Sequence, residues 1–175
     1  MADVHSIFKS QYRQYVASLK ETSFDTQKNE YLCQDTSQKV YDFDKIVKDK
    51  FPKRQPSSYD ALLLNKLDNK IYCIEFKNQK YSDINRTVIA KKLQNGKDVL
   101  NKIFGEHNIS ASEYKFIYCV VYKNSASKWR QGIEKNEIQF ELAEYKGRYF
   151  DEIYTNDVQF FTKEYKKHFH KDLTC

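Results

Sequence analysis

The chain has 175 residues, and its 30 Lys and Arg against 24 Asp and Glu give a net charge of +6. This length suits one domain that buries its own core, so we expect a single domain over residues 1–175, and the positive charge favours an anionic partner such as nucleic acid. With only 4 Gly and 2 Pro, the sequence lacks the glycine-rich loops of most ATPases and dehydrogenases and the nucleophile elbow of many hydrolases, which excludes most members of those classes.

The N-terminal part of the chain is predicted to contain two helices. Apolar residues recur every three or four positions over residues 3–20, as on one face of a helix. A second pattern of this kind covers residues 37–50, where Ser37 is placed to cap the helix and Pro52 to end it. Residues 22–36 show no clear period.

A β-hairpin and a long helix are predicted next. The apolar stretches SYDALLLNK (58–66) and KIYCIEFKNQ (70–79) flank a short polar turn, as in an antiparallel strand pair. Ser82 then caps a helix that runs to about Phe104. Gly96 lies inside this helix and indicates a bend or a close packing contact.

The C-terminal part is predicted to complete a sheet. The stretch YKFIYCVVYKN (114–124) is strongly strand-like, and because a helix precedes it, it should run parallel to one strand of the hairpin. A further strand is predicted at 137–145, and a last helix begins after Asn156 as its cap. The order of elements predicts an α/β fold with a mixed central β-sheet flanked by helices.

The cysteines and the N-terminus bear on the compartment. The four cysteines form no C-x-x-C pair, and Cys73 and Cys119 lie in apolar stretches where cysteine acts as a small hydrophobe. This pattern argues against a disulfide framework and a zinc site, and for a reducing compartment. The N-terminus has no apolar signal core, and no apolar stretch approaches the length that spans a membrane, so we expect a cytoplasmic protein without a membrane partner.

Charged residues interrupt the second hairpin strand. Side chains alternate along a strand, so Glu75 and Lys77 share one face. A two-residue turn would place Asp60 opposite Lys77, and a four-residue turn over 66–69 would place it opposite Glu75. Both turns bring the three side chains to one face, whereas an odd loop or a bulge would separate them.

The residue types at this face favour a hard metal ion. Two carboxylates on neighbouring strands repel each other unless a cation lies between them. Only oxygen ligands are offered, which suits Mg²⁺ or Mn²⁺. A bound ion of this kind polarises a phosphoryl oxygen and lowers the pKa of a bound water. Lys77 is then placed to orient or deprotonate that water, or to stabilise charge in the transition state.

Asp60 at the start of one strand, followed by Glu75-Phe76-Lys77 on the next, resembles the motif of the PD-(D/E)xK nuclease superfamily, which includes restriction endonucleases and Holliday-junction resolvases. The resemblance covers residues 37–123 and leaves 124–175 as a C-terminal extension. It implies a restriction endonuclease-like core and an endonuclease that hydrolyses phosphodiester bonds with Mg²⁺ or Mn²⁺. We expect DNA as the substrate, with RNA as the open alternative. It also implies a possible homodimer that cuts two strands.

The same resemblance assigns roles to these residues. Asp60, Glu75 and the Phe76 carbonyl would bind the metal, and Asp60, Glu75 and Lys77 would form the catalytic set. The chain departs from the motif at Tyr59, where members have Pro, and the first core strand of the family has no clear counterpart outside residues 22–36. Many members add a helical Glu, for which Glu21 and Glu30 are the candidates.

Candidate nucleic-acid contacts surround the hairpin, at Gln79, Lys80, Arg86 and Lys92, with Trp129 and Arg130 as a candidate groove contact. Lys92 lies in the apolar stripe of its helix, from which it could approach the metal site or a phosphate. The alternative is that its stem is packed and its ammonium reaches solvent. Two rival functions remain open at this point. One is a non-catalytic nucleic-acid-binding module, and the other is a protein-interaction domain on the same scaffold.

Overall fold

The computed structural model describes residues 3–124 and 137–175, and no helix in these ranges is long and apolar enough to cross a membrane. The helices are α1 (Val4–Gln11), α2 (Leu19–Thr22), α3 (Phe43–Lys50), α4 (Arg86–Glu106) and α5 (Val158–Phe169). The strands are β1 (Val16–Ser18), β2 (Phe24–Asp25), β3 (Glu30–Tyr31), β4 (Lys39–Asp42), β5 (Ala61–Asn65), β6 (Lys70–Lys77), β7 (Lys115–Tyr122) and β8 (Glu152–Asp157).

Six of these strands form one mixed sheet, in the order β1-β4-β5-β6-β7-β8, while β2 and β3 pair separately. The β1–β4, β4–β5 and β5–β6 pairs are antiparallel, and β6–β7 and β7–β8 are parallel. Helix α4 makes the crossover from β6 to the parallel β7, as expected for such a connection. The predicted α/β fold with a mixed central sheet flanked by helices is confirmed.

The sheet separates two hydrophobic clusters. One includes residues of α1, α3 and α4 together with Ile71 and Cys73 of β6. The other includes residues of α5 together with Ile74 and Phe76 of β6. The alternation along β6 therefore follows the prediction, and it directs Glu75 and Lys77 to the face that α4 covers.

The two predicted N-terminal helices are shorter than expected. The helix predicted over 3–20 ends at Gln11, and its remainder contains the edge strand β1 and the short helix α2. The helix predicted over 37–50 begins at Phe43, because residues 39–42 form β4 between β1 and β5. Val and Tyr are common in strands, and their apolar spacing over a few residues also fits a helix, so periodicity alone could not separate the two.

The C-terminal part differs in one strand. The predicted strand at 137–145 is wrong, because Leu142–Tyr145 is a 3₁₀ turn that follows two residues with positive φ. The strand is β8, which sequence reasoning missed. The predicted last helix is confirmed as α5, although its cap is Asp157 rather than Asn156, since the Asp157 carboxylate accepts a hydrogen bond from the Phe160 N–H at 2.8 Å.

A disulfide links Cys33 to Cys175, contrary to the expectation drawn from cysteine spacing. The C-terminal residues lie along the segment after β3, where the Gln34 N–H donates to the Thr174 carbonyl at 3.0 Å. The two cysteines are 142 residues apart, so no local spacing indicated their pairing. Cys73 and Cys119 are buried free thiols, as predicted.

Candidate active site

The register of the β5–β6 hairpin places Asp60 beside Glu75. Asn65 pairs with Lys70 and Ala61 with Ile74, so residues 66–69 form the four-residue turn that was one of the two predicted alternatives. Asp60 precedes the first ladder pair, and its backbone N–H donates to the Ile74 carbonyl at 2.9 Å. Its carboxylate accepts a hydrogen bond from the Phe76 N–H at 2.6 Å, which fixes it at the end of β6.

Four charged side chains meet at this position, and we refer to Asp60, Glu75, Lys77 and Lys92 as the carboxylate–lysine cluster. The Glu75 side chain is fully buried. Its Oε1 atom lies 2.8 Å from the Lys77 Nζ and 2.8 Å from the Lys92 Nζ. The Lys92 Nζ also lies 3.1 Å from Glu75 Oε2 and 3.6 Å from Asp60 Oδ1. Both carboxylates therefore share one cation, which is the ammonium of Lys92.

The electrostatics of the cluster are coupled. Burial and the charge of Glu75 raise the pKa of the Asp60 carboxyl to about 8, against the opposing effects of Lys92 and of the Phe76 N–H. Burial alone would lower the pKa of Lys92, but the charges of Glu75 and Asp60 outweigh it and raise that pKa. The cluster thus favours a cation between its carboxylates and disfavours a second free negative charge.

Helix α4 holds Lys92 over the cluster through a contact one turn further along. The ring of Tyr59, the residue before Asp60, lies directly against Gly96, and its hydroxyl donates to the Gly96 carbonyl at 3.3 Å. A Cβ atom at position 96 would overlap this ring. Gly96 therefore marks a close packing contact, one of the two predicted roles, and this contact sets the distance between α4 and the start of β5.

A further carboxylate near the cluster was missed by sequence reasoning. Asp44, in the first turn of α3, accepts hydrogen bonds from Ser58 Oγ at 2.9 Å and Gln55 Nε2 at 3.2 Å, and its charge contributes to the raised pKa of Lys92. Because this helix was predicted to start at Ser37, Asp44 was placed in its interior, whereas it lies in the first turn of the observed helix. An acidic residue in the first turn of the helix that precedes the hairpin was the available indication.

Neither candidate for the helical Glu, Glu21 or Glu30, contacts the carboxylate–lysine cluster. Glu21 belongs to the capping box of α2 with Ser18. Glu30 lies in β3, where its carboxylate binds Lys123 Nζ at 2.7 Å and Asn78 Nδ2 at 3.2 Å. Within residues 3–124 and 137–175, no group of three or more His, Cys, Asp or Glu side chains is arranged to hold a metal ion, so the candidate ligands come down to Asp60 and Glu75.

The predicted nucleic-acid contacts lie in different environments. Lys80 is exposed just beyond β6, and the neighbouring Gln79 is partly buried. Arg86 forms an exposed ion pair with Glu141. Lys92 contacts the carboxylates rather than reaching solvent as a free cation. Trp129 and Arg130 lie outside the described residues.

A positively charged groove lies between the segment 51–57 and α4. It has a volume of about 750 Å³, and its charged lining residues are Arg54, Lys91, Lys102 and Asp98. Asn95 Nδ2 donates to Ser57 Oγ at 2.9 Å across it. Because Lys91 adjoins Lys92, the groove runs beside the helix turn that carries the cluster lysine.

Comparison with known proteins gave no match to a protein-family model, a curated protein or a solved structure. The contacts within the cluster bring together the three residues that the motif predicted and add Lys92 to them.

Proposed function

We propose that this protein is a Mg²⁺- or Mn²⁺-dependent nuclease of the PD-(D/E)xK type, with a restriction endonuclease-like core, that hydrolyses phosphodiester bonds in DNA. The observation that carries the proposal is that Asp60 and Glu75 converge on a single cation position, with the Lys77 ammonium 2.8 Å from Glu75 Oε1. A homodimer with two such sites remains part of the proposal.

The donor set fits a hard divalent ion. Carboxylate oxygens of Asp60 and Glu75, with waters and the Phe76 carbonyl, are ligands that Mg²⁺ accepts in nucleotide-processing sites. The 22% exposure of the Asp60 side chain leaves an open side for a substrate oxygen. When bound, such an ion polarises a phosphoryl oxygen and lowers the pKa of a water.

The residues of the chain have separate roles in this proposal. Asp60 is held by the Phe76 N–H and keeps its remaining oxygen toward the shared cation position. Lys77, whose side chain is 17% exposed, lies at the edge of the cluster and is placed to orient the attacking water or to donate to a phosphate oxygen as charge develops. Lys80, Gln79 and the basic groove offer contacts for the sugar–phosphate backbone on either side.

A second function is favoured by one observation. Two ammonium groups already face the two carboxyl groups of the cluster, so no metal ion is needed to compensate the negative charge there. This arrangement suits a non-catalytic nucleic-acid-binding module, which would bind nucleic acid through the basic groove without a metal.

Cleavage assays separate the two functions. Duplex, single-stranded, branched and RNA substrates would be incubated with Mg²⁺, Mn²⁺ or EDTA, with wild type beside Asp60→Asn and Lys77→Met. Lys66→Gln is the matched control, because Lys66 is exposed in the turn of the same hairpin, away from the cluster. We expect metal-dependent cleavage by wild type and Lys66→Gln that both cluster variants lose. Binding without cleavage by all four proteins would support the second function instead.

A further inference from the structure

Lys92 is bound where a divalent ion would have to bind. Its ammonium lies 2.8 and 3.1 Å from the two Glu75 oxygens and 3.6 Å from Asp60 Oδ1, so it contacts both proposed metal ligands. Lys77 contacts only Glu75 among these carboxylates. A metal ion on the same oxygens would meet the Lys92 ammonium at van der Waals distance, with like charge and little screening.

The Lys92 ammonium is also able to move away from the two carboxylates. Its side chain is 22% exposed, whereas Glu75 is fully buried, so part of the Lys92 side chain borders solvent while its carboxylate partner does not. A lysine side chain has a flexible four-carbon stem, and its ammonium imposes no fixed hydrogen-bond geometry. The ammonium can therefore move toward solvent while Glu75 stays in place.

We propose that Lys92 is an exchangeable counter-cation, which neutralises Asp60 and Glu75 in the free protein and transfers its ammonium to a phosphate oxygen of the substrate when a divalent ion takes its place. This inference rests on the proposed nuclease function. It explains why two carboxylates on neighbouring strands are tolerated without a metal. It also couples the two ligands, because a phosphate that accepts the displaced ammonium makes metal binding more favourable, and the coupling is reciprocal.

Direct Mn²⁺ titration tests the exchange without relying on activity. Free Mn²⁺ would be measured by electron paramagnetic resonance for wild type, Lys92→Gln, Lys92→Arg and Lys91→Gln. Lys91→Gln removes the same charge from the adjacent exposed position and so controls for long-range electrostatics. We expect Lys92→Gln to tighten Mn²⁺ binding by about tenfold, and Lys91→Gln to change it by less than about threefold. Lys92→Arg should stay near wild type.

A second titration tests the transfer to phosphate. In a Lys77→Met background, which is expected to leave DNA uncut, a short duplex should tighten Mn²⁺ binding. The same duplex should have a smaller effect when Lys92→Gln is added. An equal effect of DNA with and without Lys92 would overturn the transfer.

Wild type alone provides a measurement that does not depend on the folding of variants. The side-chain ammonium resonance of Lys92 should change when Mg²⁺ is added, since its carboxylate contacts are lost. A Lys92 resonance that stays unchanged at saturating Mg²⁺, or Mn²⁺ affinity that is equal or weaker in a folded Lys92→Gln, would overturn the exchange. Metal-dependent cleavage lost in Asp60→Asn would leave the nuclease function standing in that case, whereas no Mn²⁺ binding by any variant and no cleavage would overturn both.

Discussion

Lys92 and Lys97 lie on the same helix, five residues apart, in opposite environments. The Lys92 ammonium contacts Glu75 and Asp60, and their charges raise its pKa. The Lys97 ammonium is buried over the ring of Phe116, 2.8 Å from its centroid, and burial lowers its pKa to about 8. The comparison teaches that burial alone does not mark a functional lysine. The carboxylates beside Lys92 are what separate the candidate active site from the aromatic core.

The largest expected difference between the two lysines is in cleavage. Lys92→Met should reduce the rate of metal-dependent cleavage by about a hundredfold, because a positive group for the phosphate is lost. Lys97→Met should change the rate by less than about threefold, since Lys97 lies against aromatic rings and not at the cluster. Rates would be compared at saturating Mg²⁺ after thermal unfolding has shown that both variants fold. Equal losses in both would remove the distinction.

Gly96 lies between the two lysines, and a side chain there should alter the height of α4 over the sheet. Gly96→Ala would overlap the Tyr59 ring and is expected to destabilise the protein by about 1–3 kcal/mol. Gly105→Ala is the matched control on the same helix, because nothing lies within 4 Å of its added Cβ. It should stabilise by about 0.5–1 kcal/mol. Denaturant unfolding measures both changes, and an equal response would contradict the packing described for Tyr59.

The pH dependence of stability should have opposite signs for the two regions. The folded-state pKa of Asp60 is raised from 3.8 to about 8, so the folded state binds more protons than the unfolded state between these values. Its contribution to the free energy of unfolding should fall as pH rises through that window. The folded-state pKa of Lys97 is lowered from 10.5 to about 8, so stability should rise with pH between about 8 and 10.5.

Single variants assign these slopes. Asp60→Asn should flatten the decrease below pH 8, and Lys97→Met should flatten the increase above it. Denaturant unfolding in metal-free buffer over this range provides the measurement. A decrease that persists in Asp60→Asn would mean that another group causes it.

A smaller effect, on the salt dependence of DNA binding, is expected from the exposed basic residues of the groove. The combined change of Arg54, Lys91 and Lys102 to Gln should reduce the slope of log binding constant against log salt for duplex DNA by about 2 to 3. Lys66→Gln, which removes a charge at the turn of the hairpin away from the groove, should leave this slope nearly unchanged. Binding of the triple variant with the wild-type slope would place the nucleic-acid interface on another surface, without bearing on the cluster.

Sequence reasoning predicted the centre of the fold better than its ends. The hairpin, α4 and β7 have long, strongly apolar patterns, and the alternation in β6 was enough to place Glu75 and Lys77 on one face. The short strands β1, β4 and β8 were missed, because three to six residues carry too little periodicity to separate a strand from a helix or loop. Edge and parallel pairing are long-range properties that a local pattern does not contain.

The candidate site was likewise predicted in part. Asp60, Glu75 and Lys77 were found because they belong to one hairpin, whose register depends only on the length of its turn. Lys92 was predicted as a nucleic-acid contact that could also approach the metal site, and its contact with Glu75 itself depends on how α4 packs on the sheet. Asp44 was missed for the same reason, and the Cys33–Cys175 disulfide joins parts of the chain that no spacing rule connects.

The most direct test of the central claim is the stoichiometry of Mn²⁺ binding in wild type and in the double variant Asp60→Asn, Glu75→Gln. We expect one Mn²⁺ per chain in wild type and loss of that site in the double variant. The affinity should increase as pH rises toward 8, because Asp60 must lose its proton. Binding of the same number of ions with the same affinity by a folded double variant would contradict the account.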